Sequence, residues 1–490
     1  MKTIPCLVSL LVVSTVATGL CAEEKPKEQK KTDASYNHLF DIRNIEGWAV
    51  YINKEDLAEH PDEMAAALHH FRQQLYQIRL NVPRPAVGIM QEKVPLWFEY
   101  DTLGIAYHYR GWLIGHDYKP PDVPTNAGFC RAKTFEKGAL HQPWVVFHEL
   151  AHGYDYRYLR EPRQPGHPLL KASYDKAEKD GKYDPVLCRY SKGTKAYGLN
   201  NPTEFFAENS EAFFGANDFY PFVRAELREY DPQTYNALIT LWGIDKEAMI
   251  ADERSLAALL DAATPKKTSG KGTPRHAQTY KPTNAYLKKQ IEGWTVYIDP
   301  DMRDTKAFTD EMCKLLGYKL HMVNRYVPET GLTELHKVPI WLELNSPAVK
   351  YITCHDDKKA LDQMGLNPDK LNAVEIGNAD NFRRWQNLQQ SAVLHYLGRV
   401  YYQQLDEAGH KAVAQQFAKA CKAGKYDRVL RFDGRQVRHP ALLNERTFFA
   451  EMTESYYGFN DHYPFLQFEL AEHDPEVCEV LAKLWGGKAK

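Results

Sequence analysis

An α+β fold written twice is what this sequence predicts: two tandem homologous domains, each a small mixed sheet packed with helices. Three observations carry the prediction. Segments of the first half return in the second at a nearly constant offset. Within each half, short aromatic and β-branched runs of strand character alternate with stretches of helical periodicity. The chain's 490 residues, 43% of them hydrophobic, can bury more than one core.

The repeat is explicit. Ile45-Glu-Gly-Trp-Ala-Val-Tyr-Ile52 returns as Ile291-Glu-Gly-Trp-Thr-Val-Tyr-Ile298, and Val94-Pro-Leu-Trp97 returns as Val338-Pro-Ile-Trp341. Gly181-Lys-Tyr-Asp184 returns as Gly424-Lys-Tyr-Asp427, and Leu241-Trp-Gly243 as Leu484-Trp-Gly486. The offset stays between 243 and 247 residues, far too long for a solenoid unit. Two domains are therefore expected, over 36–262 and 285–490. The stretch 263–284 is rich in Lys, Thr, Gly and Pro and reads as a flexible linker.

The elements follow in chain order. Residues 1–22 read as an export signal: Lys2 gives a positive start, an apolar run follows, and small residues occur near position 22. Cys21 is a candidate for lipid attachment, although Leu20 before it is bulkier than such signals favour. Residues 23–35 are charged and aperiodic, which predicts a disordered leader. Strand composition marks 48–52 and 96–100. Between them, 55–80 carries Met64, Leu68, Phe71, Leu75 and Ile78 at helical spacing. Gln142-Pro143 opens a further helix, and Asn201-Pro202 another that ends near Gly215.

Bulk properties exclude some classes. A formal net charge of -2 provides no global field for nucleic acid or an anionic membrane. No segment after the first 22 residues is apolar enough to span a bilayer. The cysteines beyond the leader, Cys130, Cys188, Cys313, Cys354, Cys421 and Cys478, form no CxxC pair. Scattered buried thiols or one or two disulfides are expected, rather than a cysteine metal site.

The chemistry is concentrated in His148-Glu149-Leu150-Ala151-His152. Residues four apart share a helix face, so both imidazoles can reach one zinc ion, with Glu149 beside them to act on a water. Catalytic zinc usually takes a third protein ligand. In the metzincin arrangement it follows at once, but those places hold Asp155 and Tyr158. Farther on, Glu204, Glu208 and Glu211 offer three carboxylates along one helical face. Two readings of Glu204 stay open: ligand, or the third helical position of a capping box begun by Asn201. In the second case Glu208 becomes the alternative ligand. Glu208 could otherwise orient a histidine ligand through a hydrogen bond.

Here the sequence resembles the gluzincin-type metallopeptidases of the anthrax lethal factor family and the related Pro-Pro endopeptidases. In that group HExxH is followed by a Tyr and, seven residues later, by a Glu opening an E-F-F-A-E-like helix. Tyr197 and Glu204 have that spacing, and Glu204-Phe-Phe-Ala-Glu208 matches closely. The resemblance is confined mainly to 145–215. It implies a zincin-like fold in which His148, His152 and Glu204 bind Zn2+, Glu149 is the general base and Tyr197 stabilises the transition state. From its residue type alone, Tyr197 equally suits packing.

The second half acts as an internal control. His395-Tyr-Leu-Gly-Arg399 stands for HELAH, Thr447 for Glu204 and Pro440 for Tyr197, while Glu451 persists at the Glu208 position. A guanidinium cannot donate a lone pair, so Arg399 excludes the same zinc site there. The set lost together reads as one functional unit. The resulting expectation is an exported (periplasmic, cell-envelope or secreted) zinc endopeptidase acting on a peptide or protein substrate. Its second domain would be a pseudopeptidase that binds substrate or a cell-envelope partner, and no nucleic-acid partner is expected. The rival expectation is a non-catalytic two-domain extracytoplasmic binding protein with a structural or vestigial zinc site.

Overall fold

The computed structural model describes residues 35–160, 167–189, 191–263 and 280–487. The expected export signal, Cys21, most of the leader and most of the linker lie outside those residues. In the first unit, β1 (Phe40–Ile45) and β2 (Trp48–Asn53) form a hairpin, and β3 (Leu96–Phe98), β4 (Gly104–Tyr109) and β5 (Thr125–Cys130) complete a sheet of order β1-β2-β3-β5-β4. The central pairs β2–β3 and β3–β5 are parallel, and the two edge pairs are antiparallel. Trp48, Val50 and Ile52 alternate into the core, as period-two strands require. A separate hairpin, β6 (Val186–Cys188) with β7 (Ser191–Thr194), precedes Tyr197.

Three helices of this unit position the functional side chains: α1 (Pro61–Asn81), α2 (Val145–Tyr154) and α3 (Pro202–Phe214). The sequence predicts one helix over 55–80, but two form. Lys54–Glu59 is capped by the Asn53 side chain and stops at His60, because Pro61 has no N–H to continue the ladder and instead begins α1. The helix expected from Gln142-Pro143 starts two residues later, with Val145 N–H donating to the Gln142 carbonyl.

The second unit repeats the architecture. Strands β8 (Leu287–Ile291), β9 (Trp294–Ile298), β10 (Ile340–Leu342), β11 (Ile352–His355) and β12 (Ala373–Ile376) form a sheet of order β8-β9-β10-β12-β11, with the same directions at each pair. Its helices α4 (Lys306–Tyr326), α5 (Ala392–Gln403) and α6 (Glu445–Tyr457) correspond to α1, α2 and α3. The mixed α+β class is thus borne out.

Contacts tie the two units together on both sides of the expected linker. Leu256 and Ala257, on the helix Lys246–Ala263, are buried in the second unit's core together with Tyr76 of α1. Lys281 pairs with Asp299 and Asp301, so the end of the expected linker is tied to the second unit. A linker composition does not prevent a lysine from finding two carboxylates. The units meet through reciprocal contacts: Lys314 of α4 pairs with Glu46, and His69 of α1 approaches Glu292, the counterpart of Glu46. An apolar cluster joins Phe222 and Ala225 to Phe465 and Leu466. Equivalent surfaces facing each other in this way describe an approximate two-fold, as in an isologous dimer. All six described cysteines are free thiols.

Candidate metal centre

The HELAH helix α2 is apolar on nearly every side, with Val146, Phe147, Leu150 and Ala151 buried, so it sits inside the unit and not on its surface. Gly153 makes this possible, since a Cβ there would lie 2.6 Å from the Val94 side chain. The helix lies against β4 and β5 on one side and α3 on the other. His148 and Glu149 are buried, and His152 is partly so.

Helix α3 brings the third group. The Asn201 side chain caps it, accepting from the Thr203 and Glu204 N–H groups. The Glu204 carboxylate does not fold back to complete a capping box. It points at the histidines, with one oxygen 3.1 Å from His148 Nε2 and 3.1 Å from His152 Nε2, and the two imidazole nitrogens are 3.0 Å apart. A tetrahedral zinc with bonds of about 2.0–2.1 Å sets its ligand atoms roughly 3.3 Å from one another. The observed triangle is close to one face of that tetrahedron. His148, His152 and Glu204 are therefore brought together as the sequence predicted, and two imidazoles with one carboxylate suit zinc chemically.

Glu208 does not have the place expected of it. Its carboxylate lies 4.0 Å from His148 Nδ1, whereas Glu211 Oε1 is 2.6 Å from the same nitrogen. Glu211 also accepts from the Gln142 amide, 3.1 Å away, at the entrance to α2. Glu211 thus holds the proton of His148 on Nδ1 and leaves the Nε2 lone pair free for a metal. The sequence carried no signal to prefer it over Glu208, because both carboxylates recur in the second half, as Glu451 and Glu454.

The electrostatics follow from burial and proximity. Although burial opposes it, His148 and His152 hold the Glu204 carboxyl far below the usual carboxylate range. Against the same burial, Glu204 and Glu211 raise His148 well above its ordinary value. Burial raises Glu149 above the ordinary glutamate range. Burial, with the neighbouring Asp218 and Glu211 charges, raises Glu208 strongly, so it keeps its proton behind the site. Tyr197 heads the short 3-10 turn Tyr197–Asn200 and is partly exposed. Burial and the Glu204 charge push its hydroxyl up to about 12, which keeps it a hydrogen-bond donor at neutral pH.

Comparisons of this chain with protein-family models, curated proteins and solved structures found no match.

Proposed function

We propose that the chain is a zinc-dependent endopeptidase of zincin-like fold, similar to the anthrax lethal factor and Pro-Pro endopeptidase group, with a catalytically inactive second unit. The observation that carries this reading is the 3.0–3.1 Å triangle of His148 Nε2, His152 Nε2 and the Glu204 carboxylate. Among the described residues that triangle contains no fourth His, Cys, Asp or Glu. Three protein ligands are the mark of a catalytic zinc, whereas a structural zinc is closed by a fourth, which disfavours the non-catalytic reading. When bound, zinc would supply Lewis-acid polarisation of a carbonyl and a water of lowered pKa.

The chain's own residues supply the rest. Glu149, next to His148 on the same helix, takes a proton from the attacking water and returns it to the leaving amine. Burial raises its pKa, which favours the first transfer. Tyr197 donates a hydrogen bond to the oxygen that becomes negative. Glu211 fixes His148. β4 ends the sheet order beside α2, so one side of its backbone is unpaired within the sheet and can take an extended peptide. The substrate class is then a peptide or protein. Residues 1–22 would direct the chain out of the cytoplasm.

The Glu149→Gln protein tests this directly. Peptide-library cleavage should fall by at least about 10²–10⁴-fold, while zinc measured by elemental analysis stays near one equivalent at this centre. Wild-type cleavage by that variant would overturn the reading.

A further inference from the structure

A second group of metal-binding side chains lies where the two units meet. His69 Nε2, from α1, is 3.4 Å from one oxygen of Glu292, and His321 Nδ1, from α4, is 3.6 Å from the other. The His69 and His321 rings meet edge to face with centroids 4.8 Å apart. One potential ligand atom from each of the three residues lies within 4.8 Å of the others. The two histidine–carboxylate separations are close to the roughly 3.3 Å between ligand atoms around a tetrahedral zinc.

The approximate two-fold supplies a control. It carries Glu292 onto Glu46, His69 onto Lys314 and His321 onto Tyr76. There Glu46 is met by Lys314 and, from its own unit, by Arg79. Two fixed positive charges satisfy that carboxylate. On the other side the partners are imidazoles, one of them buried and touching a third, His70, at 3.0 Å. Three adjoining rings repel one another if all are charged, and two of them, His70 and His321, are buried, but neutral rings offer lone pairs.

We infer that His69, Glu292 and His321 form a site for a divalent transition-metal ion of the zinc type, separate from the HELAH centre and bridging the two units. Imidazole and carboxylate together select such an ion over magnesium or calcium. His69 is partly exposed, so the site is open to solvent on one side. The protons balance through a chain that runs into the first unit. When His321 binds through Nδ1, its proton sits on Nε2 and is donated to His70 Nδ1. His70 then keeps its own proton on Nε2, facing the Gln74 amide 2.8 Å away. Without the ion the chain runs the other way. Val146 N–H at the start of α2 donates to Gln74 at 3.4 Å, Gln74 donates to His70, and His70 donates to His321. Metal binding therefore moves the proton of each ring, His321 and His70, from Nδ1 to Nε2 with no net release, and turns the Gln74 oxygen from Val146 toward His70.

The test is zinc stoichiometry on the full-length chain, stripped with a chelator, loaded with zinc and freed of excess by gel filtration. Wild type should hold two equivalents, His69→Ala one, His152→Ala one, and the double variant almost none. His69 is exposed enough that its truncation should not affect folding. Glu292→Gln, which keeps the side chain's shape, must lose the same equivalent as His69→Ala. The inference is overturned if His69→Ala and wild type hold equal zinc, or if wild type holds a single equivalent that His152→Ala abolishes. Failure of the catalytic reading looks different: His152→Ala would then match wild type while His69→Ala still lost one equivalent.

Discussion

In the first unit the Tyr154 ring stacks on Trp242 with centroids 4.4 Å apart, and in the second Tyr401 stacks on Trp485 at 4.1 Å. Trp242 donates to the Ser210 hydroxyl at 2.9 Å, and Trp485 to the Thr453 hydroxyl at 3.2 Å. Tyr154 donates to the Leu241 carbonyl and Tyr401 to the Leu484 carbonyl. Even the cap persists, since Asn444 accepts from the Thr447 N–H as Asn201 does from that of Glu204. What differs lies on the opposite side of the same helices. His395 has Tyr396 and Arg399 beside it in place of Glu149 and His152, and burial together with the Arg399 charge pushes it down to about 3, so it stays neutral. Its Nδ1 lies 3.7 Å from Glu454, against 2.6 Å between His148 and Glu211. The scaffold and the chemistry are written in separate residues, and one can be lost while the other is kept.

That contrast can be broken most forcefully at Glu204. Glu204→Ala should lose the zinc of the HELAH centre and all cleavage, while Glu208→Ala should keep both, because of these two only Glu204 reaches the Nε2 atoms of both imidazoles. Equal metal loss in the two variants would undo the ligand assignment. Next in size is Glu211→Ala, which frees the His148 ring. Its zinc affinity should fall about 10–100-fold, measured by competition with a chelator, and an unchanged affinity would make Glu211 a packing residue only.

The scaffold half of the comparison predicts symmetry. Trp242→Phe and Trp485→Phe each remove an indole hydrogen bond from a dry pocket, and each should cost about 1–3 kcal/mol in unfolding free energy. Zinc content should be unchanged in the second variant. A large cost in one unit and none in the other would show that the units do not share a packing logic.

The smallest expected effect is at the contact between them. Glu226 and Glu469 each cap their own helix, accepting from the Phe222 and Phe465 N–H groups at 2.8 and 2.9 Å, and their carboxyls hydrogen-bond to each other across the interface. Burial raises both, and the Glu226 charge raises Glu469 further. A carboxyl whose folded value lies above its unfolded one contributes fully below the unfolded value, near 4.5, and loses that contribution as pH climbs through the folded value. Glu469→Gln removes one of the two ionisations and leaves an amide that can still donate to Glu226. Its melting temperature should therefore gain on wild type by a few degrees over the pH range above about 4.5. A constant difference over that range would mean the pair does not share a proton.

The sequence by itself determined the repeat, the α+β alternation and the pairing of His148 with His152, because helical spacing places residues four apart on one face whatever the surrounding fold. It offered Glu204 and Glu208 as the third group, and Glu204 was among the positions lost from the second half. Loss of the same positions from the second half made them legible as a set. Tertiary structure alone chose Glu211 over Glu208 as the partner of His148. The two lie three residues apart on one helix, and only the packing angle between α2 and α3 aims one of them at the imidazole. The same holds for the chain from Glu292 through His321, His70 and Gln74 to Val146, whose members come from both units. No local pattern marks residues that meet from more than two hundred positions apart; the packing of one folded unit on the other brings them together.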